Sequence, residues 1–440
     1  MGRKRRSHAL DLYVGSSKIG TYARAATGAT SFRYAEDWLA SDRSFPVSLS
    51  LPLSDRVWTG DAIASVFDGL LPDDQTVREA IAAREGADSA GTFDLLAAIG
   101  RDCVGALRFV PAGEDPGDPA KMTYRPIDDA EISRRLASLA RAPLGMAAHR
   151  EENGGEEDFR ISIAGMQEKT AFLFAEDDWQ LPLGATPTSH IFKPAMREGP
   201  DGADFSNSPW NEWFCLKLCA GFGLASANAQ VRHFDNKPVI VVERFDRRWQ
   251  DGVLYRLPQE DLCQALGVPP SRKYESDGGP GILALLEFLN QAANPRADRL
   301  TFFKAQIIFW LLAAIDGHAK NFSVFLTPGG FNLTPMYDVM SAAPYPELTP
   351  QKIKLAMAIG GNRHYRVKEI VPRHFYQMGR AAGFAEEDID EILGDVGKTL
   401  DGVLESAATD ADEAGMPNKT RDAIIDGVQA RAKLIGSGGQ

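Results

Sequence analysis

Asp316-Gly-His-Ala-Lys-Asn321 follows directly on the apolar run from Ile307 to Ile315, and Tyr337-Asp338-Val339 stands a short β-like stretch further on. An acidic residue and an Asn five positions later can project from one loop into one site. The chemistry that asks for this pair is phosphoryl transfer, in which the Asp orients and deprotonates a hydroxyl while the Asn oxygen holds a Mg²⁺ that neutralises nucleotide phosphates. A second carboxylate at a strand end, here Asp338, is what such a metal needs beside it. Asp, Asn and Asp in this order read as a protein-kinase-like catalytic loop and metal loop. Either motif alone also fits a structural Asx turn followed by an ordinary strand-end Asp.

Upstream, other parts of a kinase follow in order. Lys193 ends the apolar strand His190-Ile-Phe-Lys193, where an ammonium can meet nucleotide phosphates, although a strand-end Lys is commonly just solvated. Val239-Ile-Val-Val-Glu-Arg-Phe245 runs from an apolar strand into a mixed segment, as does a hinge whose backbone hydrogen-bonds adenine and whose Phe covers the ring. Taken alone it is a core strand with an exposed end. Ile161-Ser-Ile-Ala-Gly-Met-Gln-Glu-Lys-Thr170 ends like a Walker A loop, but Glu168 and Ile163 stand where that loop needs glycines. Glu212, on an amphipathic helix expected over Asn211 to Ala220, is a candidate partner for Lys193; such helices also carry exposed Glu.

Of 440 residues 44% are hydrophobic and 25% charged, which suits two or three packed units and excludes global disorder. The 48 Lys and Arg against 60 Asp and Glu give a net charge of -12, which repels nucleic acid and anionic membrane. DNA contact would therefore need a local basic patch or a basic partner. The longest apolar run is about half a membrane span, and no apolar segment follows the basic start Met1-Gly-Arg-Lys-Arg-Arg6, so a cytoplasmic chain without membrane contact is expected. Cys103, Cys215, Cys219 and Cys263 read as reduced core residues.

The expected fold class is α+β: a two-lobed protein-kinase-like fold with an extra amino-terminal α/β subdomain and an all-helical carboxyl lobe, broken by one β-like stretch from Ser323 to Leu333. Residues 1–148 are expected to form the amino-terminal subdomain, 149–250 the small lobe with nucleotide loop and hinge, and 251–440 the helical lobe with the catalytic and metal loops. A Pro-, Gly- and Asp-rich connection at 111–126 and the acidic stretch Arg150 to Asp158 mark the first boundary.

Beyond the site, the words FRYAEDWLAS, LSLPL, FDGLLPDD, FDLLAAIGRDCVGAL, FRISIAGMQEKTA, VERFDRRW, LPQEDLCQALG, KYESDGGPGI, DGHAKNFSVF, LTPMYDVMSA and PRHF resemble the HipA family of bacterial toxin kinases, over about residues 10 to 400. These are the serine/threonine kinase components of type II toxin-antitoxin pairs. The resemblance implies Asp316 as catalytic base, Asn321 and Asp338 as Mg²⁺ ligands and Lys193 as the phosphate-binding Lys. It implies an ATP-binding loop of Ala164, Gly165, Met166, Gln167, Glu168 and Lys169, and an adenine hinge of Glu243, Arg244 and Phe245. His318, Ala319, Lys320 and Tyr337 would flank the nucleotide. Ser162 matches the family's autophosphorylated Ser, whose modification is associated with ejection of the nucleotide loop and silencing of the kinase. Its nearly two negative charges would stand beside a loop that must bind another polyanion.

The implied substrate is glutamyl-tRNA synthetase, whose phosphorylation blocks tRNA charging and drives growth arrest and persistence. The implied partner is a HipB-like helix-turn-helix antitoxin dimer, through which the protein would reach operator DNA as a transcriptional co-repressor. Met166 and a shortened region from Pro344 to Lys354 depart from the family pattern without touching a residue assigned to chemistry. Arg363, His364, Arg366 and Lys368 form a basic cluster, of which Arg363 and Arg366 are candidate DNA contacts; a solvated loop is the plain alternative. Two other functions stay open: a kinase of this fold with another protein or small-molecule substrate, and a catalytically silent antitoxin-binding co-repressor.

Overall fold

The computed structural model describes residues 8–139, 167–196, 202–348 and 351–437. It is an α+β structure, and the chain divides into two compact units, each gathered from separated stretches. One takes residues 1–193, 243–271 and 325–329; the other takes 194–242, 272–324 and 330–440. This division cuts across the three consecutive segments expected from the sequence, because the chain passes back and forth between the units.

In the first unit a five-stranded sheet has the order Trp58–Thr59, Thr30–Tyr34, Ser17–Arg24, Ala9–Val14 and Arg108–Pro111. Alternation explains it: Leu10 and Leu12 face inward and are fully buried. Tyr22 and Phe32 from the neighbouring strands close on Phe67 of the helix Asp61–Asp68, with ring centroids 4.6 and 5.6 Å apart. A helix Gln75–Glu85, capped by the Asp74 carboxylate accepting from the Val77 N–H at 2.9 Å, and another at Asp129–Leu139 lie outside the sequence expectations. In a second group of antiparallel strands, Thr170–Ala175 pairs with both Asp178–Pro182 and His190–Pro194. The hairpin Arg247–Gln250 and Val253–Arg256 also belongs to this unit.

The second unit is mainly helical. The helix Ser208–Gly221 is not the amphipathic surface helix expected, since every residue from Ser208 to Leu216 is buried. Glu212 is therefore a core residue and not a solvated one. The helix Pro295–Leu312 starts with Pro in its first turn and is buried without a break from Ala305 to Leu312. Glu386–Ala414 is a single helix of 29 residues. Gly397 and Gly402 cost it about 1 kcal/mol each, but Leu404, Ala407 and Ala411 supply a buried stripe that carries it on. Lys354–Ile359 and His364–Arg366 form a hairpin, so the carboxyl half holds more β structure than the one stretch expected. Leu355 to Ile359 are all buried, which removes the polar alternation that would have marked a strand.

All four cysteines are buried, and none is in a disulfide. Among the described residues no helix is long and apolar enough to cross a membrane.

Candidate active site

The loop that carries Asp316 is shaped by the end of the helix Pro295–Leu312. Ala313 takes a left-handed conformation (φ 51°) and turns the chain. Gly317 then passes so close to Phe309 that a Cβ there would lie 2.5 Å from the ring, which only glycine permits. Ser341 holds the opposite side. Its hydroxyl donates to the Leu312 carbonyl at 2.5 Å, while Asn211 donates to its carbonyl at 2.8 Å and accepts from its N–H at 2.9 Å. The buried amide of Asn211 thus fastens the helix Ser208–Gly221 to the segment just after Asp338.

Within this frame the second unit brings together Asp316, His318, Ala319, Lys320, Asn321, Tyr337 and Asp338. Asn321 donates its Nδ2 proton to the Asp316 carbonyl at 2.7 Å, and its Oδ1 has no partner among the described residues. The Asp316 side chain is 44% exposed. Its Oδ1 accepts from the Tyr274 hydroxyl at 2.5 Å, and His318 Nε2 lies 3.6 Å from the same oxygen. His318 is buried, and neither ring nitrogen has a hydrogen-bond partner among the described residues. Burial pushes its pKa down against the pull of Asp316, which keeps the imidazole neutral at pH 7. The Tyr337 hydroxyl donates to the Lys320 carbonyl at 3.0 Å and lies 2.6 Å from Ser323 Oγ. Asp338 has a φ of 56°, a conformation uncommon outside glycine and, among residues with side chains, commonest for Asn and Asp.

The remaining candidates belong to the first unit. Gln167, Glu168 and Lys169 lead into the strand Thr170–Ala175. Ser162, Ala164, Gly165 and Met166 lie outside the described residues. Lys193 is buried at the end of its strand, contrary to the solvated alternative. At the hinge Glu243 is exposed, and Phe245 meets Phe325 edge-on at 6.0 Å.

Arg244 has a buried side chain. Its N–H donates to the Ser189 carbonyl and its own carbonyl accepts from the Arg247 N–H. Its guanidinium is buried on Asp246, Thr188 and the Cys103 carbonyl at 2.8 to 3.0 Å, with Asp102 at 3.4 Å. All five N–H groups of the guanidinium are thereby engaged within the protein.

Around Arg244 lies a buried ionic hub that the sequence reading missed. Asp102 accepts from Arg247 at 2.9 Å, from Arg256 at 2.8 Å and from the Thr188 hydroxyl at 2.7 Å. Burial alone would raise the Asp102 pKa; Arg247, Arg256 and Arg244 overcome it and hold the carboxyl well below the usual range. The only sequence signal was charge inside apolar words, in RDCVGAL and VERFDRRW. Tyr274 was missed too, though it stands in the quoted word KYESDGGPGI.

Arg363 lies in the turn of the Lys354–Arg366 hairpin, and Arg366 pairs with Lys354 at its open end. Arg363 donates to Glu275 and to the Tyr365 hydroxyl, both at 2.9 Å, and Arg366 to Glu369 at 3.0 Å. Both guanidiniums remain more than half exposed.

Comparison with known proteins fits this geometry. Residues 10–110 match the model of the HipA N-terminal domain and residues 161–403 that of the HipA-like C-terminal domain. Y4mE of Sinorhizobium fredii is 32% identical over 426 residues, covering 95% of this chain and 96% of that protein. The serine/threonine-protein kinase toxin HipA of Shewanella oneidensis is 30% identical over 364 residues, 80% of this chain and 78% of the other. A solved structure of HipA from Shewanella oneidensis MR-1, in complex with HipB and its operator DNA, superposes with a TM-score of 0.77 at 25% identity, over 97% of this chain and 98% of that one.

Proposed function

The chain belongs to the HipA family, and on that premise we propose that it is an ATP- and Mg²⁺-dependent serine/threonine protein kinase acting as the toxin of a type II toxin-antitoxin pair. The observation that carries this reading is the Asp316 carboxylate, partly exposed and, among the described residues, engaged at one oxygen only, in a loop where Asn321 Oδ1 likewise has no described partner. Asp316 is the base for the incoming hydroxyl. Lys193 and the Gln167–Lys169 segment serve the phosphates of ATP, Glu243 and Phe245 its adenine, and His318, Lys320 and Tyr337 its flanks.

The donors fit Mg²⁺. Asn321 Oδ1 and the Asp338 carboxylate are hard oxygen ligands, and Mg²⁺ takes one or two such protein groups while phosphate oxygens and water complete its shell. Bound there, it would neutralise charge on the phosphates. Asp338 and Asn321 would hold it, and Asp316 would remain the proton acceptor.

The substrate proposed is glutamyl-tRNA synthetase, on the family resemblance, with Ser162 as the autophosphorylation site that silences the enzyme. A HipB-like antitoxin dimer is the proposed partner, supported by the assembly in which the Shewanella HipA was solved. With a net charge of -12 the chain would reach operator DNA chiefly through that partner, with Arg363 and Arg366 as the proposed direct contacts.

The test is transfer of label from γ-labelled ATP with Mg²⁺ by unphosphorylated protein, wild type and Asp316→Asn, followed by mass spectrometry of Ser162 and of added synthetase. Label on both, absent from the variant, is expected. Label on Ser162 alone would move the substrate elsewhere. ATP binding with no transfer at all would leave an antitoxin-binding co-repressor.

A further inference from the structure

The Tyr274 hydroxyl and His318 Nε2 both approach Oδ1 of Asp316, at 2.5 and 3.6 Å, while Oδ2 has no partner among the described residues. The shorter distance is that of a charge-assisted O–H···O⁻ bond. A carboxylate left to itself turns about its last bond and offers either oxygen. Here one oxygen is held, so the other is aimed.

Tyr274 is itself fixed. Its ring stands edge-on to that of buried His318, with centroids 4.8 Å apart and planes at 81°. The Lys273 ammonium lies 5.6 Å from the centre of the Tyr274 ring. The Tyr274 carbonyl accepts from the N–H groups of Asp277 and Gly279 at 3.1 and 2.9 Å. Gly279 passes so near the Arg272 carbonyl that a Cβ would lie 2.1 Å from it. The next residue, Glu275, is anchored at both oxygens, accepting from the Ala358 N–H at 2.6 Å and from Arg363 at 2.9 Å. A loop tied down on this scale is built to hold a side chain in place.

We propose that Tyr274 is a positioning residue for phosphoryl transfer: by holding Oδ1 of Asp316 it makes Oδ2 the oxygen that receives the proton of the substrate hydroxyl. This rests on the reading of Asp316 as the base. In the step itself the hydroxyl oxygen forms a bond to the γ-phosphorus, the bond from that phosphorus to the bridging oxygen of ADP breaks with its electron pair leaving on ADP, and the hydroxyl proton passes to Oδ2. Tyr274 keeps its own proton throughout.

The test is steady-state kinetics of Tyr274→Phe beside wild type, Asp316→Asn and the double variant, with thermal midpoints measured on all four. Loss of the hydroxyl alone should lower kcat about tenfold, leave the KM for ATP within about twofold, and keep the midpoint near wild type. In the double variant transfer should stay at the lost level of Asp316→Asn, because the group that Tyr274 positions is gone. An unchanged kcat in Tyr274→Phe would overturn the proposal, and a raised one would show that the hydroxyl blocks the base. A raised KM with kcat intact would also overturn it, as a binding role. Should Tyr274→Phe melt early, Glu275→Gln, which loosens the same loop from outside, must show the same fall in kcat or the proposal fails. A wild-type chain that transfers no phosphate would overturn the kinase reading first, and the two failures are thereby told apart.

Discussion

Asp102 is buried and takes hydrogen bonds from both the N–H and hydroxyl of Thr188 and from three arginines, whereas Asp316 is 44% exposed with one hydrogen bond at one oxygen. The first arrangement spends every lone pair on the protein. The second leaves an oxygen over, beside an imidazole whose two nitrogens are both unmatched among the described residues. Burying a charge is tolerable when its partners replace water completely, and such a group then holds structure together. A charge or ring left incompletely satisfied lowers stability and persists where something else is meant to bind. The two aspartates separate framework from site more clearly than their sequence surroundings do.

The comparison breaks most easily at Asp102. Asp102→Asn would leave Arg244 and Arg247 sharing the single carboxylate of Asp246 and Arg256 with no carboxylate partner among the described residues, and should cost about 3 to 5 kcal/mol in urea unfolding. A loss under about 1 kcal/mol would show that the hub is replaceable. Because the Asp102 pKa is lower in the folded state than in the unfolded one, its contribution is present above the ordinary carboxylate value near ~3.9 and drains away as pH falls below it. Wild-type protein should therefore lose stability on acidification below about pH 4, and Asp102→Asn less of it.

Glu260 sharpens the contrast from within the same unit. Its Oε1 accepts from the Leu49 N–H at 2.8 Å, but Oε2 is buried without a partner, and burial pushes its pKa up to about 8. A carboxyl raised on folding favours the folded state fully below its unfolded value, and that advantage is lost as pH climbs toward 8. Wild-type stability should fall between about pH 5 and 8, and Glu260→Gln should remove the slope and add about 2 kcal/mol at pH 8. Equal pH profiles for the two proteins would mean that Glu260 ionises in a solvated setting.

At Asp316 the expected change is smaller still: Asp316→Asn should shift unfolding by less than about 0.5 kcal/mol while label transfer disappears. A large destabilisation would make Asp316 part of the framework. Smallest of all is Arg296→Ala. Its bond to Asp388 is short, 2.7 Å, but Arg296 is 74% exposed, and the cost in the same urea experiment should stay below about 0.5 kcal/mol.

The loop around Asp316 was legible because its chemistry is local. Asp316, Asn321 and the helix before them follow one another in the chain, and Asp338 comes one β-like stretch later. The strands His190–Pro194 and Lys237–Glu243 were legible for a similar reason, as apolar runs ending near a charge. Contacts between distant residues were not. Tyr274 meets Asp316 across 42 positions, and Arg247 meets Asp102 across 145, and an ion pair leaves no periodic trace in sequence. Burial of Glu212 was hidden because a stretch buried on every side, as Ser208 to Leu216 is, carries no amphipathic contrast to read. The same held for the strand Lys354–Ile359, and Gly397 disguised a helix that tertiary packing prolongs.

The hub also sets a timetable for the nascent chain. Asp102 leaves the ribosome 154 residues ahead of Arg256, and at about 5 to 20 residues per second that is roughly 8 to 30 s of waiting. During this interval the amino-terminal sheet has its strands but not the cations that make its buried carboxylate tolerable. The unit to which it belongs is complete only when residues 325–329 have emerged. Folding in order of synthesis is thus closed to this unit, and slow translation of residues 140–260 would prolong exposure of a half-built core to chaperones, proteases and other nascent chains.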